Sequence, residues 1–595
     1  MKTIKPNIYR THTCGGLSAA NVGESVTLSG WVHRKRDHGS LLFIDLRDNY
    51  GITQCVLDLA DQELQGADRI RPESVITIKG TVAARDASAV NDKIPTGEIE
   101  IQVKEYKVLC ESEVLPFQVF GDDETNEELR LKYRYLDLRR ERMHHKILFR
   151  NRIIKAMRDK MWNLGFSEFQ TPILGATSPE GARDFIVPSR IHHGAVYALP
   201  QSPQQWKQLT QIAGFDRYFQ IAPCMRDEDL RADRMMEFYQ LDLEMSFVEQ
   251  RDVQDVCEDV AVSLIREFVP NGKLHPEIPQ FTYAEAMLKY GIDRPDLRNP
   301  IIISDVSDIF RNSDFAIFAN SVKDGAVVRA IPAPKTHDKP RSWFDKMETF
   351  AKEELGLGGL GYIVFAADGP KGPVAKKLNA EQIESIRIAS GAGADDTVFF
   401  ICEKENVAAK AAGKLRIKLG EDLELIDSNE FRLCWVVDFP FFEEDENSPT
   451  GIGFGHNPFG MPQVDLENAD LSDPLSIPAY QYDIILNGWE IGGGGLRNYD
   501  QPTMLKLFEI TGYDEDTVKE KFGGLYNAFQ YGTPPHGGCA FGVERIVCLL
   551  LDEMNLREVT AFPANQRGQD LMMGSPNAPT EQQLRDVHIQ FRKKS

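Results

Sequence analysis

The sequence predicts an α+β protein of several domains, and three observations carry that expectation. Its 595 residues exceed what one hydrophobic core organises, so three or four domains are expected. Residues 20–110 read as short β-rich runs parted by turns, whereas the following segments alternate strand-like and helical patterns. A block over 285–425, with Gly-rich stretches such as Gly356–Gly361 and helices such as Asn379–Ala389, differs in texture from both of its flanks. It separates two arginine-bearing segments, Arg226-Asp227-Glu228-Asp229-Leu230-Arg231 and Gly538-Cys539-Ala540-Phe541-Gly542-Val543-Glu544-Arg545.

Composition narrows the class. With 42% hydrophobic and 27% charged residues the chain reads as globular. No apolar run approaches the roughly 20 residues that cross a bilayer, and Met1–Pro6 lacks the apolar stretch of a signal peptide, so no membrane partner is expected. Nine scattered cysteines with no C-x-x-C argue against a disulfide framework or a thiolate zinc site, and a reducing cytoplasm fits. A net charge of −22 disfavours general nucleic-acid binding, DNA included. Residues 1–110 are nevertheless balanced, with 14 Lys/Arg against 14 Asp/Glu, and Arg130–Lys160 is basic. A polyanion can be met there, or the basic run is a solvated helix face.

The first region holds five β-rich runs, at Val26–Val32, Leu41–Arg47, Ile52–Leu57, Val75–Gly80 and Ile99–Val103, with one helical stretch near Asp58–Asp68. That count fits a small Greek-key barrel of the OB type, whose open face takes oligonucleotides. Phe43 and Gln54 would project near each other from adjacent strands, where a phenylalanine stacks a base and an amide reads its edge. Taken alone, the segment favours Phe43 as barrel core. Residues 111–130 read as an acidic linker, and a long basic helix is expected from about Glu128 to Leu164.

The chemistry lies further on. Gly165–Pro172 ends a helix and starts a strand. Thr177–Phe185 is a polar loop whose Glu180 could accept an ammonium group. Leu199–Lys207 supplies donors, and Lys207 falls in a helix that begins after Pro203; taken alone it reads as solvent-exposed. Phe219–Arg226 and Phe238–Met245 form a hairpin around a charged loop. The alternation in its second strand puts Gln240, Asp242 and Glu244 on one face, a costly arrangement unless it meets a polar ligand. Asp483 and Glu490 flank an Asn-Gly kink, and two carboxylates near phosphates suit Mg²⁺. Gly492–Gly495 and Arg497 follow. Two arginines with glycine beside the second suit a polyphosphate bearing a flat base, because guanidinium forks match phosphate oxygens in pairs.

Together these segments resemble the class II aminoacyl-tRNA synthetases, and among them the bacterial-type aspartyl-tRNA synthetases, over nearly the whole chain. Gly165–Pro172 is similar to motif 1 of that class, Phe219–Glu244 to motif 2 and Gly538–Arg545 to motif 3; Gly455-His456-Asn457-Pro458-Phe459 adds to the match. The resemblance implies an antiparallel sheet of six to seven strands with flanking helices. It also implies an OB-fold anticodon-binding domain at 1–112, a linker at 113–140, catalytic parts at 141–284 and 426–595, and an inserted α/β domain of the GAD type at 285–425. The implied activity joins aspartate to the 3′ end of tRNA(Asp) through an aspartyl-adenylate, with ATP as substrate and Mg²⁺ as cofactor, in a homodimer.

The resemblance also assigns residues. Arg226, Glu228 and Arg545 would be catalytic, with Arg226 on the α-phosphate, Glu228 on the adenine amino group and Arg545 on the γ-phosphate. Asp227, Glu490, Gly542, Val543 and Glu544 would complete the ATP site, and Asp483 with Glu490 would hold Mg²⁺. Lys207 and Arg497 would grip the side-chain carboxylate of aspartate under His456. Glu180, Gln204 and Asp242 would hold its ammonium group, with Gln240 nearby. In the barrel, Arg36, Phe43 and Gln54 would meet the anticodon, supported by Arg85 and Glu98. Several positions depart from the commonest bacterial pattern. Met235-Met236 replaces Gln-Pro, Asn457 replaces a second histidine, Glu544 stands for Asp, and Ala83 lacks an arginine. His38 resembles members that charge both tRNA(Asp) and tRNA(Asn), which leaves tRNA(Asn) open as a second partner. Lysyl and asparaginyl synthetases are the nearest alternatives, and the Lys207–Arg497 pair argues against both. A non-catalytic tRNA-binding protein would have no use for the two arginines, and a tRNA-independent aspartate–ammonia ligase none for the barrel.

Overall fold

In a computed structural model, residues 5–121, 124–177, 182–446, 448–466, 468 and 471–592 are described. The chain separates into two compact units that meet in sequence after His144.

The first unit is built on strands β1 (Ser25–His38), β2 (Leu41–Asp48), β3 (Gly51–Asp58), β4 (Val75–Ala84) and β5 (Ile99–Cys110). They close into a barrel in the order β1-β2-β3-β5-β4, with β3 and β5 parallel and the other pairs antiparallel. The period-two alternation explains the closure: Leu42, Ile44 and Leu46 point inward to Val26, Leu28, Ile78 and Ile101, and their neighbours face out. Phe43 is one of those outward neighbours, which corrects its reading as core. The helix expected near Asp58–Asp68 is two single 3₁₀ turns, Gln62–Leu64 and Ala67–Arg69. Only Leu64 and Ala67 reach the core there, too little apolar contact to hold a longer helix.

The long helix expected from Glu128 is three: α1 (Glu127–Lys132), α2 (Arg134–Asp137) and α3 (Glu141–Asn163). The break has an electrostatic cause. Arg130 grips the buried carboxylate of Asp137 with Nε at 2.9 Å and Nη2 at 3.0 Å, and Arg134 Nη1 reaches it at 2.6 Å. Two guanidinium groups converging on one carboxylate fold the run back, and Tyr133 leaves the helical region at φ −112°.

The second unit is organised by an eight-stranded sheet: β6 (Ser167–Glu168), β7 (Arg217–Met225), β8 (Glu237–Ser246), β9 (Gln280–Thr282), β10 (Leu433–Val437), β11 (Gln481–Leu486), β12 (Trp489–Leu496) and β13 (His536–Gly542). Their order is β9-β10-β11-β12-β13-β8-β7-β6. The six from β10 to β7 are antiparallel, as expected; the strands beyond the expected count are two- and three-residue edges, β6 and β9, which run parallel to their neighbours. Helices cover one face. Ile153 and Met157 of α3, Val253, Val260 and Leu264 of α5 (Gln250–Phe268), and Ile546 and Val547 of α6 (Val543–Leu551) pack on Phe219, Leu241, Leu243, Phe541 and Ile484. The opposite face is left for polar side chains. α4 (Gln204–Ile212) stands over it, contacting β7 and β8.

Between β9 and β10 lies a second sheet, wholly antiparallel, ordered Ser304–Asp305, Val327–Ala333, Thr397–Glu403, Gly361–Ala366, Gly369–Lys371. It carries apolar clusters on both faces, one with Phe344 and Leu415, the other with Phe310 and Ile386. Among the described residues no helix is long and apolar enough to cross a membrane.

Candidate active site

The polar face of the large sheet is a floor whose layout follows from strand register. Residues paired across strands share a face. Glu244 pairs Gly538, which pairs Gly495; Asp242 pairs Ala540, which pairs Gly493, which pairs Asp483; Gln240 pairs Gly542. Between the carboxylates of β8 and Asp483 of β11 the floor therefore holds only glycine and alanine. Three interstrand steps of about 4.8 Å span roughly 14 Å, room for a nucleotide lying flat. Gly538 is required there: a Cβ on it would sit 2.0 Å from Glu244 Oε2.

At one end of the floor four charges interlock. Lys207, from α4, reaches Asp242 Oδ1 at 2.6 Å and Glu244 Oε2 at 3.3 Å. Arg497, just past β12, grips Glu244 through Nε at 2.9 Å and Nη2 at 3.2 Å. All four side chains are buried, which corrects the reading of Lys207 as solvent-exposed. Burial acts to raise the Glu244 carboxyl, but Arg497 and Lys207 outweigh it and hold the group below the usual carboxylate range. Asp242 is pushed up by burial, which Lys207 only partly offsets. Its Oδ2 is buried and accepts no hydrogen bond among the described residues, an open acceptor next to a cation.

This quartet corrects the selectivity argument drawn from the sequence. Lys207 and Arg497 are already matched by two carboxylates, so a neutral substrate leaves no bare charge. What they still offer is donors: Arg497 Nη1 has no acceptor among the described residues, and the Lys207 ammonium has a third proton. A substrate carboxylate presents two acceptors to them, whereas an amide turns its NH₂ against one.

At the other end the floor meets the two arginines. β7 and β13 each pair antiparallel with β8, so both end on the same side, where Arg226 follows β7 and Arg545 opens α6. The Arg226 guanidinium lies 5.1 Å from the Phe238 ring centroid, and its Nε is buried without a partner among the described residues. Arg545 Nη1 donates to Glu490 O at 2.8 Å and lies 3.5 Å from Glu490 Oε2. Arg545 and Glu490 border a cavity of about 880 Å³. Glu228 is paired with Arg234 at 3.1 Å, and Asp227 with Arg183 at 3.5 Å. Glu544 is committed elsewhere: Oε1 accepts from Arg150 at 2.7 Å and Oε2 from the Tyr239 backbone N–H at 3.0 Å. Glu544 thereby braces α3, β8 and α6 to one another, and it borders a cavity with Met235, Met236 and Tyr239.

Asp483 and Glu490 converge. A Cβ on Gly493 would sit 2.7 Å from Asp483 Oδ1 and 3.4 Å from Glu490 Oε1, so both oxygens face one point above a glycine. Burial and then Glu490 push the Asp483 carboxyl well above its usual range, as expected for paired carboxylates with no cation between them. Hard oxygen donors converging in this way fit Mg²⁺. Among the described residues no group of three or more His, Cys, Asp or Glu is set to hold a metal alone, so such an ion needs oxygens from a ligand. His456 packs edge-on against Phe439, 5.1 Å between centroids, and burial lowers its imidazole. Glu180 lies outside the described residues. Gly542 and Val543 join β13 to α6.

The barrel presents a separate polar face. Arg36 pairs with Phe43, and Asp45 with Gln54, so the four share it. Arg36 donates to Asp45 Oδ1 and Gln54 Oε1, each at 3.0 Å, and Gln54 Nε2 to Glu100 at 2.9 Å. Arg85 Nε donates to Ile99 O at 3.0 Å. The carboxylates in this network are Asp45 and Glu100, which sequence reasoning missed; Glu98 is exposed and outside it. Alternation in β2 and β5 was the signal that could have found them. His38 stands edge-on to Phe43 at 5.4 Å, and Ala83 pairs opposite Glu100.

Comparison with known proteins follows this geometry. Residues 126–566 match the family model for class II tRNA synthetases (D, K and N), and residues 26–109 the OB-fold nucleic acid binding domain. The chain is 56% identical over 583 residues to the aspartate–tRNA(Asp/Asn) ligase of Acidiphilium cryptum, covering 98% of each chain. It is 54% identical over 584 residues to the ligase of the same name from Gluconobacter oxydans, covering 98% of this chain and 97% of that one. Among solved structures it shares the fold of Pyrococcus horikoshii asparaginyl-tRNA synthetase in complex with asparaginyl-adenylate (TM-score 0.56, 18% identity, 94% of this chain and 98% of the other). It likewise shares the fold of Entamoeba histolytica aspartyl-tRNA synthetase (TM-score 0.54, 19% identity, 92% and 90%). These matches cover both the barrel and the large sheet, and the chain belongs to the class II tRNA synthetases of the D, K and N group.

Proposed function

We propose that this chain is an aspartate–tRNA ligase that charges both tRNA(Asp) and tRNA(Asn). The observation that carries the reading is the floor itself: a charge quartet that offers donors to a carboxylate at one end, and two arginines at the other. The near full-length identity to ligases named for both tRNAs supports the pair of acceptors.

Aspartate lies with its side-chain carboxylate on Arg497 Nη1 and the Lys207 ammonium, and its own ammonium on Asp242 Oδ2 and Gln204. ATP lies across the glycine strip. Its adenine takes the Phe238 side, with Glu228 turning from Arg234 to the amino group and Asp227 alongside; Arg226 takes the α-phosphate and aspartate's α-carboxylate, and Arg545 the γ-phosphate. Aspartate's α-carboxylate attacks the α-phosphorus and pyrophosphate leaves. The reaction needs no protein nucleophile: two anions must be held together and the developing charge met, which the arginines do. Asp483 and Glu490 would hold Mg²⁺, which neutralises phosphate charge when bound. His456 closes over the aspartate. The terminal adenosine of the tRNA then takes the aspartyl group.

The barrel face reads the anticodon through Phe43, Arg36 and Gln54, steadied by Arg85, with His38 and Ala83 at the edge where the two tRNAs are told apart or accepted together. The enzyme works as a homodimer through the segment Gly165–Pro172; the exposed Ile173 and Leu174 beside it support that. Residues 285–425 are an inserted domain, and the site of action is the cytoplasm. The test is pyrophosphate exchange into ATP for each amino acid in turn. Aspartate is expected to drive it with Mg²⁺; exchange with asparagine or lysine but not aspartate would end the reading.

A further inference from the structure

A file of side chains behind the charge quartet has one direction, and that direction bears on substrate choice. Gln204 and Gln208 lie one turn apart on α4, and His536 opens β13; all three are buried. Gln204 Nε2 donates to Gln208 Oε1 at 2.9 Å. Gln208 Nε2 lies 3.1 Å from His536 Nε2, and His536 Nδ1 lies 2.9 Å from Pro534 O. A carbonyl oxygen only accepts, so Nδ1 carries a proton. The Gln208 amide nitrogen only donates, so Nε2 carries none and accepts. His536 is therefore the neutral Nδ1–H tautomer, and every donation runs from Gln204 towards Pro534. Gln204 then turns its NH₂ towards Gln208 with one of its two protons bonded there, and its Oε1, which has no partner among the described residues, is the end left facing a ligand.

The opposite direction exists on paper. An imidazolium would donate from Nε2 to Gln208 Oε1, the Gln208 amide would turn and donate to Gln204 Oε1, and Gln204 would be left showing NH₂. One proton on His536 separates a surface that attracts an ammonium from one that repels it. The charged groups facing the ring are Glu244 from β8, Arg497 after β12 and Lys207 from α4. Burial lowers the imidazole from its ordinary range; Glu244 opposes that, and Arg497 and Lys207 add to it.

We propose that His536 is a positioning residue: by accepting from Gln208 it fixes the polarity of both amides, so that Gln204 presents its carbonyl oxygen, and not its NH₂, to the ammonium group of the amino-acid substrate. This rests on the reading of Gln204 as part of the aspartate site. Wild-type enzyme that shows no aspartate-dependent exchange would sink that reading, whereas the outcomes below concern His536 alone.

The experiment compares aspartate with succinate, the same diacid without the amine, in the full-length protein. In His536→Gln the new amide accepts or donates equally well and the polarity is no longer fixed. KM for aspartate is expected to rise about twofold, as the competent orientation falls from nearly all molecules to about half, with Ki for succinate unchanged. Adding Gln208→Glu should restore KM, because a carboxylate only accepts and forces Gln204 to donate to it again. Unchanged KM in the single variant, equal losses for aspartate and succinate, or no recovery in the double variant would overturn the proposal. Should His536→Gln not fold, Gln208→Glu against Gln208→Leu decides. The carboxylate is expected to keep KM for aspartate near wild type and leucine to raise it, and equal KM in the two would contradict the assignment.

Discussion

Replacing Arg497 with leucine isolates the charge quartet. Arg497 holds Glu244 at 2.9 and 3.2 Å, and both are almost wholly buried. With it the quartet balances two cations against two carboxylates; without it Lys207 alone faces Asp242 and Glu244. Breaking a buried pair at one partner costs about 3–5 kcal/mol of stability. Part of that is recovered as Glu244, no longer held low by arginine, takes up a proton. The catalytic loss is separate. The substrate's side-chain carboxylate loses the Nη1 donor and meets a site with excess negative charge, together worth about 3 kcal/mol or more, roughly two orders of magnitude in kcat/KM. Aspartate-dependent pyrophosphate exchange measures this, with thermal unfolding of the same sample to show that folded protein is compared. Arg497→Lys, which keeps the charge without the fork, should fall between. A leucine variant with kcat/KM near wild type would refute the assignment of the substrate carboxylate to this end of the floor.

Four further outcomes follow from the geometry. Asp483→Asn should raise the melting temperature of the ligand-free protein while abolishing exchange. The folded-state pKa of Asp483 is raised, so ionising it at neutral pH destabilises the fold, and asparagine removes that cost; a melting temperature that falls would contradict this. By the same sign, a cation there needs the ionised carboxyl, so the Mg²⁺ concentration required for exchange should rise as pH falls; a pH-independent requirement would argue against metal at this pair. Phe43→Ala should raise KM for tRNA by the roughly 1–3 kcal/mol of one stacked base, while exchange, which uses no tRNA, reports an intact catalytic unit. In the barrel, His33 Nδ1 accepts from Arg47 at 2.7 Å, and burial followed by Arg47 lowers the imidazole to about 4. Its depressed folded-state pKa means stability present above pH 6.5 and lost as pH falls towards 4; full-length His33→Gln should lose less over that window.

The strands were legible because alternation is a local signal. Gln240-Leu241-Asp242-Leu243-Glu244 declares a two-faced strand, and the barrel runs do the same. The two arginines, the carboxylate pair and the glycine strip were legible as short segments. What sequence could not show is partnership across distance. Lys207 read as exposed because nothing near it in the chain reveals Asp242 and Glu244 on the second strand of the next hairpin. The partner of Glu544 was hidden in the same way: Arg150 lies on a helix almost 400 residues earlier, at 2.7 Å in space. His536 carried no motif at all; only its two ring nitrogens, each with a different partner, reveal its part. The helix expected from Glu128 failed for the same reason, since a composition rich in Lys and Arg cannot show that two arginines turn onto Asp137.

Aminoacylation of purified tRNA(Asp) and tRNA(Asn) side by side, with aspartate, asparagine and lysine each supplied in turn, tests the central claim most directly. Aspartate is expected on both tRNAs and the other two amino acids on neither. Asparagine or lysine transferred in its place, or no transfer to either tRNA from enzyme that exchanges pyrophosphate with aspartate, would contradict the account.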